Sequence, residues 1–459
     1  MRASAVVEKA GIPTASLVCD GFIGQARAIS GGLGIAGLPV ARLVGHVDGQ
    51  DHAELAANVR NITVGDVTRR LTTAPDESAV SKSYRPGEIV AQGSFDVINQ
   101  VFLERQWSDG LPIVPPTNER VAAFLAYSND PPERQIGVLQ PSGAAATVMN
   151  VAVNGVLANC RPEYMPILVA IAEVLCDPGY GVEHSGDTTG GDALIILSGP
   201  IIDQLNFNCE GAALRDGYQA NSSVGRFLRL FMRNVAGSLP GGADKSTHGH
   251  TWRVVLAEHE STLQGLGWPL YAEDRGLRAG DNVVTIGRFT SGGTVGSIYG
   301  NDPEAIIAYL ADGLVRHSSW ELIFAVGFAP GTYRPLLVIS PMVAKTLARA
   351  GLSKADLRDG LFRQARLPAA RFEAYVGAWS NLLPDRPKLT ELVAAGRAAP
   401  VYGESDDPNR LVPIVPRAED IMLVVSGDPL RSNAYAFASN GMHGFPTSRL
   451  IDLPKAWRQ

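Results

Sequence analysis

Cysteine is scarce: four residues in 459 (Cys19, Cys160, Cys176, Cys209), none in a Cys-x-x-Cys pair, do not make a disulfide framework and leave a reducing compartment as the expectation. Basic excess is also missing. Forty Lys and Arg against 46 Asp and Glu give a net charge of −6 and a pI near 5.8, which supplies no electrostatic footprint for nucleic acid or for an anionic membrane surface. The longest apolar stretches, such as Met165–Leu175, are too short to span a bilayer. Residues 1–20 carry Arg2, Glu8, Lys9 and Asp20 and lack an apolar centre, so no signal peptide is read there. A cytoplasmic protein is expected. What the chain does have is 45% hydrophobic residues and a mean hydropathy of +0.04, the composition of a globular protein long enough for two to four domains.

Punctuation by glycine and proline divides the first 73 residues into an α/β alternation. A helix over Arg2–Ala10, a strand over Thr14–Cys19, a helix over Phe22–Ile29, a strand over Val40–Val44 and a helix from Asp51 to Val59 are predicted. Two parallel strands cannot cover both faces of their own core, so this unit is incomplete unless it docks on the rest of the chain, on another copy, or on a segment upstream. Residues 74–92, with Pro75, Pro86 and Gly87, read as a linker. From residue 93 to 459 a large mixed α/β or α+β domain is expected, with residues 141–300 rich in Gly, Asn, Ser and Thr between short apolar runs.

The Gly11-Ile12-Pro13-Thr14 turn, the Val18-Cys19-Asp20-Gly21-Phe22 run and the stretch from Gly37-Leu38-Pro39 to Gly45-His46 resemble the UGSC family. The resemblance implies a flavodoxin-like or racemase-like parallel sheet for residues 1–73. It also implies a selenocysteine- or cysteine-Gly-Ser-Cys motif on a strand before the first helix. No Cys-Gly-Ser-Cys occurs in this chain, so no redox role passes to any residue, Cys19 included. From about Gly93 onward the chain resembles a domain that accompanies UGSC-like segments in bacterial proteins, with the cadence Cys160-Arg161-Pro162-Glu163-Tyr164-Met165-Pro166.

Four groups of residues could carry chemistry. Cys160 is expected at or just before the N-cap of a helix Pro162–Leu175, where unpaired amides and Arg161 would favour a thiolate nucleophile; the competing reading is a buried small hydrophobe. Thr188, Thr189, Gly190 and Gly191 could present successive amides to an anion, or form a hairpin-like turn. Asn221 or Ser222 is expected to cap a helix whose N-terminus, with Arg226 as a clamp, receives a carboxylate or phosphate. Arg226, Arg229 and Arg233 share one face of it, which could equally be a solvated basic face.

The fourth group is His248, His250 and Glu258, which fall on one side of a strand predicted over Thr247–Ala257 and would suit zinc or iron. Glu258 would then stand about 26 Å from His250 at ~3.3 Å per residue, so a bend would be needed. Ser246 beside His248 could act as a nucleophile with its base. The function expected is an enzyme acting on a small anionic metabolite, a thiol-dependent oxidoreductase or isomerase. The alternatives are a metal-dependent hydrolase or lyase, and a non-catalytic subunit of a complex. A homo-oligomer or a partner subunit is expected, and no cofactor is indicated.

Overall fold

Short apolar runs become strands and Ser, Thr or Asp caps open several of the helices in the computed structural model, which describes residues 1–35, 37–73, 87–441 and 444–457. Residues 74–86 of the expected linker lie outside the described residues, as does His443. The fold is mixed α/β with several sheets. Two compact units are present, each drawn from segments distant in sequence. One contains residues 1–165, 182–190 and 227–248, the other residues 166–181, 191–226 and 249–459.

In the first unit, β1 (Ser16–Cys19) pairs in parallel with β2 (Val40–Leu43), and helices Arg2–Lys9 and Ile23–Gly32 flank them in sequence. Asp20, at the end of β1, pairs with the Arg42 guanidinium and accepts the Gly45 amide at 3.0 Å, which holds its carboxyl down at about 2. The N-terminal segment docks on later parts of this unit. Gln25 donates to the Ala243 carbonyl at 3.1 Å, and Lys245 sits over the Phe22 ring at 5.7 Å. Gly32 lies so close to the Pro141 carbonyl that any Cβ would overlap it. A hairpin of β3 (Gln135–Leu139) and β4 (Ala144–Thr147) follows, and a capping box between Thr147 and Asn150 starts helix Val148–Leu157.

The second unit is built on β5 (Asp192–Ser198), β6 (Val255–Ala257), β7 (Val283–Val295), β8 (Leu336–Ile339), β11 (Met422–Val425) and β12 (Ala434–Ser439), with a separate antiparallel ribbon of β9 (Arg366–Pro368) and β10 (Leu411–Pro413) between β8 and β11 in the chain. Its strand order is β11-β8-β12-β7-β5-β6, with β13 (Thr447–Leu450) also on β7. β5 and β6 are parallel, β8 and β11 are parallel, and the pairs made by β7 and β12 are antiparallel.

The two ends of this path meet. His259 donates its amide to the Val425 carbonyl at 2.8 Å, and the Ser426 hydroxyl bonds the Ala257 carbonyl at 2.7 Å, so β6 and β11 join at their carboxyl ends. Arg358 also links the Ile421 carbonyl, just before β11, to Asp274 at the end of helix Tyr271–Asp274. The sheet therefore curls toward a barrel. Alternation along each strand sends Leu194, Ile196, Leu256, Phe289, Leu336, Val338, Met422, Val424 and Phe437 into one buried cluster. Their neighbours, among them Leu337, Ile339, Leu423 and Val425, face the cluster formed with helices Pro303–His317 and Pro341–Arg349.

Gly225, in helix Gln219–Asn234, faces the backbone at Arg253 and Val254 with no room for a Cβ. Alanine in place of a helical glycine ordinarily stabilises by about 1 kcal/mol. Here Gly225→Ala should instead lower stability by about 1–3 kcal/mol, because the atoms met are main chain and cannot rotate away. A urea midpoint at or above that of the wild type would show that the helix shifts at no cost.

Candidate functional site

Cys160 is buried. It follows Asn159, whose φ of 61° ends helix Val148–Leu157, and its amide donates to the Gly155 carbonyl at 3.0 Å. The next helix differs from the expectation: Pro162–Tyr164 is a 3-10 turn capped by Arg161 and running into helix Met165–Cys176. Cys160 is thus one position before the cap. Arg161 leans on the Tyr164 ring at 5.4 Å and pairs with Glu163 at 3.4 Å.

Two loops of the same unit are brought side by side across 59 residues of sequence. Lys245 donates its amide to Gly186 at 2.8 Å, and Thr247 donates amide and hydroxyl to the Thr188 carbonyl at 3.0 and 2.9 Å. Within the first loop, Asp187 Oδ1 accepts the Thr189 hydroxyl at 2.9 Å and the Gly190 amide at 3.0 Å. An aspartate of the chain itself therefore holds two of the donors that the sequence offered to an anion, the Thr189 hydroxyl and the Gly190 amide. In the second loop Ser246 gives its amide and hydroxyl to Asp244 Oδ1 at 2.9 and 2.6 Å, not to a histidine, while His248 is exposed.

Helix Gln219–Asn234, whose residues 219–226 belong to the second unit and 227–234 to the first, begins two residues ahead of the expected cap, with Ser222 already bonded to the Tyr218 carbonyl at 2.9 Å. Asn221 is buried in its first turn. Its Oδ1 accepts the Asn208 amide at 2.8 Å, and its Nδ2 donates to the Asn208 and Val255 carbonyls at 2.9 and 2.8 Å, so the side chain ties a loop and β6 to the helix. Arg226, Arg229 and Arg233 are all half-buried, not a solvated face. Gly191 faces the side chains of Thr290 and Arg288.

The expected strand Thr247–Ala257 is ordered as β only from Val255. The Gly249 turn, with φ of 77°, breaks the alternation that would have aligned the histidines. His250 is exposed and stacks on Trp252 at 5.9 Å. Among the described residues no group of three or more His, Cys, Asp or Glu side chains is placed to hold a metal ion.

Glu258 is a fully buried carboxyl and sits where parallel sheets carry their sites, at the carboxyl ends of β5 and β6. Parity turns it inward. The Ser198 hydroxyl bonds Oε2, and the Tyr271 amide donates to both carboxyl oxygens at 3.0 Å. Complete burial is the dominant cause of its shift and outweighs Lys354, Ser198 and Tyr271, pushing the carboxyl up to about 7. Lys354 is itself buried, with Nζ 2.8 Å from Asp274 and 2.9 Å from the Pro269 carbonyl. Sequence reading placed Glu258 in a metal set and passed over Ser198, Tyr271 and Lys354. The available signal was the parity of Ser198 and Glu258 one step beyond two adjacent apolar strands.

Burial also raises the thiols of Cys176 and Cys209 to about 11. Both should alkylate at pH 8 about two orders of magnitude more slowly than a free thiol of pKa ~8.5. Mass spectrometry of the folded protein reads this directly, and rapid labelling of either would contradict the burial described.

Residues 1–73 match the UGSC family. No curated protein and no solved structure matches the chain. Among the described residues no helix is long and apolar enough to cross a membrane.

Proposed function

We propose that the chain is a cytoplasmic enzyme acting on a small anionic metabolite by proton transfer, in the manner of an isomerase, with Glu258 as the group that holds the proton. The observation that supports it is a single carboxyl poised at about 7 at the carboxyl ends of parallel strands and hydrogen bonded to Ser198. Deuterium uptake tests this. The protein is incubated in D2O with a panel of small keto, hydroxy and amino acids, and carbon-bound hydrogen is followed by NMR. Exchange of at least one substrate is expected, falling about 100-fold or more in Glu258→Gln, within the 10²–10⁴ range of acid–base contributions. No exchange across the panel, or equal exchange by the variant, overturns the reading.

The thiol-dependent oxidoreductase route rests on Cys160, buried one position before the Arg161 cap. Fast alkylation of Cys160 with an apparent pKa well below ~8.5 would favour it, and inertness until unfolding would end it. A partner-subunit reading has its own support. In the segment 1–73, which we read as part of a flavodoxin-like or racemase-like sheet, Val6, Ile12 and Leu17 are 70%, 58% and 56% exposed, and β1 has one edge unpaired among the described strands. Light scattering should then find an oligomer; a monomer at micromolar concentration argues against it.

A further inference from the structure

The anion expected at Asn221 and the Thr188–Gly191 loop has a better-built receptor elsewhere in the second unit. We infer that Arg275, Arg334 and Arg417 form a binding site for a small oxyanion, a carboxylate or a phosphate, beside Asp420 and Phe445. Asp420 is buried and accepts Arg334 Nη1 at 3.1 Å and Arg417 Nη2 at 3.0 Å. Arg334 also rests its guanidinium 6.0 Å from the Phe445 ring, while Arg275 donates to the carbonyl of the next residue, Pro446, at 2.9 Å. One turn thus draws Arg275 to the other two.

Three guanidinium groups share this place with one buried carboxylate, and Asp420 is the ion-pair partner of Arg334 and Arg417. Glu419, beside Arg417, is the other acid acting on that arginine. Arg334 carries the strain. Burial lowers its proton affinity, Asp420 offsets this, and Arg417 and Arg275 lower it again. Its Nη1 is taken by the Gly331 and Tyr333 carbonyls and Asp420, which leaves Nη2 and Nε as donors. A second observation points the same way. The Tyr271 hydroxyl is fully buried, has no hydrogen-bond partner, and lies within electrostatic reach of Arg275 and Arg334. An oxyanion would balance the excess charge and take bidentate donors from planar forks, with the phenol as a further donor.

Glu258 and Ser198, on which the acid–base reading rests, take no part in this site; Tyr271 belongs to both, its amide on Glu258 and its hydroxyl within reach of the arginines, so substitutions at Arg275 and Arg334 test the site while leaving the Glu258 hydrogen bonds in place. Calorimetry on the full chain with inorganic phosphate and with malonate, at fixed ionic strength, is the test. Saturable binding of at least one is expected, with preference between them identifying phosphate or carboxylate as the natural group. Arg275→Gln, at an exposed position where loss of the bond to the Pro446 carbonyl should lower the melting temperature of the anion-free protein only slightly, should weaken binding about tenfold or more. Arg334→Lys, which keeps the charge opposite Asp420 but loses the fork, should do the same. Absence of saturable binding below about 10 mM for both anions, or unchanged affinity in Arg275→Gln, would overturn the site.

Discussion

Glu258→Gln is expected to make the protein more stable than the wild type at pH 8 and nearly equal to it at pH 5. The carboxyl stands at about 7 in the folded chain against an ordinary 4.5, so between these values the folded state binds more protons than the unfolded state. Stability contributed by this group is therefore fully present below about 4.5 and falls as pH rises through 7, by roughly 3 kcal/mol in all. Glutamine copies the protonated form: Oε1 can still accept the Tyr271 amide and Nε2 can donate to Ser198 Oγ. The difference between wild-type and variant urea midpoints at pH 5, 6, 7 and 8 isolates the group from every other titration. A difference that does not change with pH would mean that Glu258 does not titrate there. At pH 5 Glu258→Ala has the opposite effect: it leaves a cavity and strands the Ser198 hydroxyl and the Tyr271 amide, for a loss of about 3–5 kcal/mol that shrinks by roughly 3 kcal/mol at pH 8, where the wild type already carries the buried charge.

Lys354→Met should cost about 3 kcal/mol or more, the scale found when one member of a buried ion pair is removed. Lys354 is 2% exposed, and its ammonium is the donor to Pro269 and a close partner of Asp274. Arg358, 2.8 Å from the same carboxylate, prevents complete loss of compensation, which keeps the expected value toward the lower end of that scale. A second consequence separates electrostatics from packing. Lys354 pulls the Glu258 carboxyl down, so its removal should move the Glu258 transition above 7. At pH 8 the substitution should then cost less in a Glu258→Gln background than alone, by about 1 kcal/mol. Strict additivity would mean that the two side chains do not sense each other.

Local chemistry was legible in the sequence. Asp51 caps its helix by accepting the Glu54 amide at 2.8 Å, as its position before an apolar-periodic run implied. The strands around Ser16–Cys19 and Val40–Leu43 stand where glycine and proline punctuation put them. A two-stranded parallel sheet has too little surface to bury its own faces, and of the three ways the sequence left open to cover it, contacts with later parts of the chain are seen.

The candidate sites were less legible, for reasons that differ from residue to residue. Asn221 looked like a cap because it precedes an apolar stripe, but the helix extends two residues further back and β6 claims its amide. The Thr188–Gly191 donors looked available because Asp187 was read as part of the loop and not as the acceptor that fills it. His248, His250 and Glu258 share a parity that Gly249 cancels.

Local pattern determined the α/β alternation of the first 73 residues and the starts of several helices, Asp51 among them, since each depends on residues close together in the chain. Tertiary structure alone decided that β6 and β11, 165 residues apart, meet through His259 and Ser426. The same closure buries Glu258 and, through the dehydration of its charge, makes an ordinary carboxyl titrate near neutrality. Arg275, Arg334 and Arg417 are likewise unremarkable in sequence. They become one feature only because the turn at Phe445–Pro446 returns to the sheet, and electrostatic energy depends on distance in space and on the local dielectric, neither of which is written along the chain.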